Sequence, residues 1–143
     1  MNNTNTYEER QSVSDLGEEL FEQWAKDKGY TLHRVGFHSK NDSVPNFFKL
    51  NKLLRNMPDY ILNTGKKTYV VNVKGTANIK HNEIRMLSDL YLCYSSPNAM
   101  LVYAFCFKGQ EPVLMSPETL SNRFHMAEDK QWHDGVRYRT IKI

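Results

Sequence analysis

The chain has 143 residues, 40% of them hydrophobic and 24% charged, ordinary usage for one globular domain and far from the composition of a disordered chain. Its formal net charge is only +3, yet residues 35–85 carry nine Lys/Arg against three Asp/Glu, while residues 1–34 are net acidic and residues 86–143 balanced. Such a basic middle third raises the local concentration of a polyanion, so nucleic acid is a candidate partner beside the plainer reading of a solvated face.

No apolar run approaches the roughly 18–20 residues of a membrane span, and the first residues are polar, unlike a basic-then-apolar leader. A soluble, cytoplasmic protein without membrane contact is expected. In chain order, residues 1–11 read as a polar segment, flexible or loosely docked. Val13, Leu16, Leu20, Phe21 and Trp24 recur at helical spacing and predict a first helix, with Ser12 or Ser14 as its N-cap and Gly29 as its stop. Alternation over 30–37 predicts a half-buried strand, followed by a loop over 38–45. Residues 46–56 read as a short helix with Phe47, Leu50, Leu53 and Leu54 on an apolar side and Lys49, Lys52 and Arg55 on a basic one.

A second strand is expected over 58–62, because proline is tolerated at a strand's first position. Turn residues over 63–67 lead into a β-branched strand over 68–74. Helical period over 78–94 predicts one continuous helix, and the nearly unbroken apolar run over 99–107 a strand covered on both faces. Ser116 and Pro117 start a short helix, and a tight turn at Asp134 and Gly135 precedes an edge strand over 136–143. Cys93 and Cys106 fall in the predicted helix and strand and read as reduced, buried thiols rather than zinc ligands or a disulfide. The order of helix, three strands, helix and strand predicts an α/β fold with a mixed sheet between helices. It forms a single domain over 12–143, with a core over 12–107 and a C-terminal addition over 108–143.

Polar residues end the third strand. Asn72 and Lys74 lie two apart and share one strand face, and Asp59 opens the neighbouring strand across the turn. An oxygen ligand beside a lysine, opposite a carboxylate, suits a hard cation and a phosphate together, since oxygens bind Mg²⁺ and the ammonium neutralises developing charge. The plainer reading makes Asn72 and Lys74 the wet end of a strand and Asp59 a turn residue. His81 and Asn82 lack the second histidine of a His-Asn-His site. His125 and His133 lack the spacing of a helical metal pair.

Pro58-Asp59 followed by Asn72-Val73-Lys74 on the next strand, in this element order, resembles the PD-(D/E)XK nuclease superfamily, which includes many restriction enzymes and archaeal Holliday-junction resolvases. The resemblance spans about residues 12–107. It implies a restriction-endonuclease-like core and a Mg²⁺- or Mn²⁺-dependent endonuclease that hydrolyses DNA by structure rather than sequence. Asp59 would be a metal ligand and Lys74 the catalytic lysine. An acid from the first helix would complete the site: Glu18, Glu19 and Glu22 are candidates, and counting back from Gly29-Tyr30 in the manner of resolvase-like and Mrr-like relatives selects Glu18. Asn72 stands where the family carries Asp or Glu; its amide oxygen would still ligate the ion, with one negative charge fewer. Glu83, near the start of the next helix, would be either a compensating carboxylate or a plain surface residue. The alternative is a nuclease-fold protein that binds DNA or an assembly without cutting; a third class is an α/β interaction module with no nucleic-acid partner. Lys49, Lys52, Arg55, Lys66, Lys67, Lys80 and Arg85 would contact phosphates, which carry no direct base information. Many relatives act as homodimers, so a second copy is an implied partner.

Overall fold

A computed structural model of the chain describes residues 6–36, 53 and 56–143. The first helix, α1 (Tyr7–Asp27), starts earlier than the apolar stripe suggests. Thr6 caps it: the Thr6 hydroxyl accepts from the Glu9 backbone N–H, and the Glu9 carboxylate accepts from the Thr6 N–H. This reciprocal cap satisfies two donors that a helix start otherwise leaves orphaned, so neither Ser12 nor Ser14 is the cap and residues 7–11 are helical rather than loose. The helix stops where expected, with Gly29 at φ +73.

Strands β1 (Thr31–Arg34), β2 (Tyr60–Asn63) and β3 (Thr68–Lys74) form an antiparallel meander. At its tight turn Gly65 has φ +85 and the Asn63 side chain accepts from the Gly65 N–H. The chain then departs from expectation. Residues 78–94 are not one helix but a strand, β4 (Asn78–Lys80), followed by α2 (His81–Arg85) and α3 (Leu87–Tyr94). Ile79 is buried against Ile141 in a core built by the far end of the chain, and the Glu83 carboxylate takes the Lys80 N–H at 2.7 Å, fixing the helix start at His81. Beyond that point helical bonding continues through Met86, whose N–H donates to Asn82 and whose carbonyl accepts from Leu90.

β5 (Met100–Phe105) runs parallel to β3, and β6 (Val113–Met115) closes a mixed five-stranded sheet in the order β1-β2-β3-β5-β6. β5 explains the layering. Val102 and Ala104 join Phe21, Ala25, Tyr60, Leu62, Val71 and Val73 in one core, whereas Tyr103 and Phe105 join Leu87, Leu120 and Phe124 in another. Successive side chains on a strand point to opposite faces, so this strand is buried from both sides, as its apolar run predicts. Each such fully buried Phe or Leu stabilises the fold by roughly 1.5–3 kcal/mol relative to exposure.

The C-terminal part adds α4 (Pro117–Met126), capped by Ser116, and strands β7 (Asp129–Gln131) and β8 (Arg137–Thr140). β8 is not an edge. It is the centre of a second, three-stranded sheet ordered β4-β8-β7, where it pairs with Asn78–Lys80 on one side and Asp129–Gln131 on the other. Cys106 is buried as expected, its thiol pushed up to about 12 by burial; Cys93 is exposed, because α3 turns that position outward. The loop over 38–45 and the basic helix over 46–56 lie outside the described residues, apart from Leu53 and Asn56. Among the described residues no helix is long and apolar enough to cross a membrane.

Candidate functional site

Two glycines set the geometry. A Cβ on Gly17 of α1 would lie 2.8 Å from the Gly75 Cα, and one on Gly75 only 2.2 Å from the Val13 carbonyl oxygen. No real Cβ sits that close to backbone, so α1 can cross the end of β3 at this height only because both positions are glycine. That crossing brings the next residue, Glu18, to the C-terminal end of β3. There β3 and β5 run parallel, and such strand ends are where open α/β sheets bind ligands.

The strand pattern supplies the rest. Val71 and Val73 enter the core beneath α1, so Asn72 and Lys74 face the other way, toward α2. The Asp59 N–H bonds to the Val71 carbonyl and its Oδ2 accepts from the Val73 N–H at 2.7 Å, which locks the carboxylate beside Asn72. Glu18, Asp59, Asn72, Lys74 and Glu83 all line one cleft of about 240 Å³, with Ser14, Asn56 and Tyr103. Of the three helix acids, Glu18 is the one in this cleft. Glu22 instead accepts from the Tyr60 hydroxyl at 2.9 Å and from Arg34, and Glu19 is exposed.

Glu83, read from sequence as either a compensating acid or a surface residue, is held inside the site. Its Oε1 lies 2.5 Å from Lys74 Nζ, with side-chain exposures of only 29% and 17%. Burial opposes its ionisation, but the Lys74 charge and hydrogen bond, the Lys80 N–H and the Lys80 charge together outweigh it and hold the carboxyl below its ordinary range. Tyr103 is pushed up by burial and by the Glu83 charge, against a hydrogen bond from the Asn72 side chain that favours the phenolate. Sequence reasoning missed Tyr103, although its place opposite Asn72 in the β3–β5 register follows from two strands that were both expected.

The side-chain oxygens lining the cleft belong to three carboxylates (Glu18, Asp59, Glu83), two amides (Asn56, Asn72) and the Ser14 and Tyr103 hydroxyls, a set suited to a hard cation in type. Among the described residues, however, no group of three or more His, Cys, Asp and Glu side chains is placed to hold a metal ion.

The basic residues divide. Lys80 lines a hollow together with Lys74, whereas Arg85 lines a separate one with His81, Gly135 and Arg137. Lys66 and Lys67 occupy the β2–β3 turn at the opposite end of β3, about 20 Å away at roughly 3.3 Å per residue, too far to share a phosphate with Lys74. Lys49, Lys52 and Arg55 lie outside the described residues. His81 belongs to a different knot: its Nε2 is 2.7 Å from Asp129, which also takes Arg137 and Arg139. Hydrogen bonds from Arg139, then His81 and Arg137, hold the Asp129 carboxyl well below the usual range. His125 bonds within its own helix to the Ser121 carbonyl oxygen. Comparison of the chain with protein-family models, curated proteins and solved structures finds no match.

Proposed function

We propose that the chain is a metal-dependent endonuclease of PD-(D/E)XK type that hydrolyses DNA phosphodiester bonds, with Mg²⁺ or Mn²⁺ as its cofactor. The observation that carries this reading is the convergence of Glu18, Asp59, Asn72 and Lys74 on one cleft at the end of two parallel strands. Glu18, Asp59 and the Asn72 Oδ1 would hold the ion. A divalent cation bound there supplies Lewis-acid polarisation of a phosphoryl oxygen and a more acidic water. In the hydrolysis, the water oxygen bonds to phosphorus as the ester bond to the leaving sugar oxygen breaks. Lys74 offers its ammonium to the charge that builds on the phosphoryl oxygens, and the hydrogen bond to Glu83 positions that ammonium at the cleft. No base-reading element belongs to this proposal, so selectivity would come from DNA shape.

A second reading has its own support. Asn72 contributes no charge, and Lys74 already has its carboxylate partner, so a nuclease-fold protein that binds DNA without cutting it uses the same residues. Incubation with linear, single-stranded and branched DNA in Mg²⁺ and in Mn²⁺ decides between them. Endonuclease function predicts cleavage that Asp59→Ala and Lys74→Ala each abolish and that Asn72→Asp raises. Cleavage equally strong in all variants overturns the site, and DNA binding without cleavage, even by Asn72→Asp and Asn72→Glu, selects the non-catalytic reading.

A further inference from the structure

A second hollow, of about 320 Å³, adjoins the carboxylate cleft, with Ser14, Val73 and Lys74 lining both. Its size is at the small end of the roughly 300–1,000 Å³ typical of ligand sites. Its electrostatics are the reverse of its neighbour's: Arg10, Lys74 and Lys80 line it together with the polar side chains of Gln11 and Thr76, and among the described residues no Asp or Glu does.

The three cations are not equivalent. Arg10 is fixed by a 2.7 Å pair with Asp134 and by its guanidinium lying 4.3 Å over the Trp132 ring. Lys74 is held by Glu83. Lys80 is half-buried, and among the described residues its ammonium makes no ion pair. Burial lowers its pKa and the charges of Lys74 and Arg10 lower it further, against the pull of Glu83 and Asp134. A solvated surface lysine would swing away from two like charges. This one is kept beside them, lining a hollow that offers further hydrogen-bond donors while the carboxylates nearest to it, Asp134 and Glu83, are engaged by Arg10 and Lys74.

We propose that this hollow is an anion subsite that takes a phosphate group of a nucleic-acid strand, with Lys80 as its principal ligand and Arg10, Thr76 and Gln11 around it. It rests on the reading of the adjoining cleft as a nucleic-acid site, and it places the next phosphate of the strand, or a terminal one, on the far side of Lys74. A phosphomonoester and an internal phosphodiester present the same oxygens, and the test tells them apart.

The test is binding of a short fluorescent single strand to the full chain in chelator, once with a 5′-phosphate and once with a 5′-hydroxyl, across a salt series. A terminal-phosphate site predicts a preference of roughly tenfold for the phosphorylated strand that Lys80→Gln removes. An internal-phosphate site predicts equal binding of both strands, weakened alike by Lys80→Gln, with the log–log salt slope shallower by about 0.7. In either case Lys80→Arg retains binding, and Lys66→Gln, at the other end of the sheet, has no comparable effect. Affinities and slopes of Lys80→Gln equal to wild type for both strands, or an equal loss in Lys66→Gln, overturn the subsite. A parallel cleavage assay in Mn²⁺ separates the two proposals: a Lys80 effect on binding without any cleavage keeps the subsite and removes the nuclease, and cleavage without a Lys80 effect does the reverse.

Discussion

Two hollows share Lys74 and differ in nearly everything else. One gathers carboxylates around an ammonium that is already paired; the other gathers ammonium and guanidinium groups with no acid lining it. In the carboxylate cleft Lys74 and Glu83 compensate each other within the protein. In the basic hollow Arg10 and Lys74 have carboxylate partners in Asp134 and Glu83, whereas among the described residues the Lys80 ammonium has no ion pair and meets the charges of both other cations. The proposals assign chemistry to the first and phosphate binding to the second, and each half makes its own predictions.

The largest effect should come from breaking both halves at once. Gly75→Ala drives a methyl into the Val13 carbonyl, and because the obstacle is backbone, α1 must lift from the end of β3. A loss of about 3 kcal/mol is expected in urea unfolding, at the upper end for overpacking, with weaker binding at both hollows. Gly65→Ala, at the other end of β3, meets no neighbour within 4 Å and has only its φ of +85 to contend with. It should cost about 1–2 kcal/mol and leave both hollows intact. Equal losses in the two variants would refute the role given to the helix–strand crossing.

Removing the internal compensation should come next. Glu83→Gln leaves Lys74 half-buried without its counter-charge and is expected to cost about 2 kcal/mol, between the values for exposed and buried pairs. Its signature is a pH dependence. The native carboxyl is held below its ordinary range, so the pair's contribution is full above the unfolded value of about 4.3 and is lost as pH falls through the lower native value. Wild type should therefore lose its advantage over Glu83→Gln progressively in acid, and thermal melts at pH 7 and pH 3 measure it. A gap that stays constant across that range would show that Glu83 acts by packing alone.

How much of this was legible in the sequence follows the range of the interactions. The turn at 63–67, strand β3 and the buried strand β5 are written in local alternation and turn chemistry, and so is the shared face of Asn72 and Lys74. Asp59 was within reach for the same reason, because one hairpin sets its register. The second sheet was not: β4 is a strand only because Asn78 pairs with Thr140, sixty-two residues away, and that partner outweighs a local helical period. The start of α1 escaped because residues 7–11 carry no apolar stripe and the signal lies in the Thr6–Glu9 cap. Lys66 and Lys67 were grouped with the site by nearness in sequence, which a strand spanning the whole sheet turns into distance.

The smallest effect has the opposite sign. Lys80 destabilises the native state near neutrality, since burial and the neighbouring cations disfavour its charged form; the penalty is present below its lowered native pKa and is relieved as pH rises past that value toward the unfolded one of about 10.4. Lys80→Met keeps the side-chain stem and removes the charge, so it should raise stability at pH 7 by about 1 kcal/mol, with the gain shrinking toward pH 10. Gly75→Ala and Glu83→Gln weaken the fold together with the site, whereas this substitution should strengthen the fold while weakening phosphate binding. Melts of wild type and Lys80→Met with and without a saturating 5′-phosphorylated strand give both readings in one series. Without the strand the variant should melt higher; with it, wild type should recover the difference or exceed it, because only wild type holds the phosphate. A variant that is destabilised, or that is raised by the strand as much as wild type, would place Lys80 among ordinary structural residues and leave the basic hollow without its principal ligand.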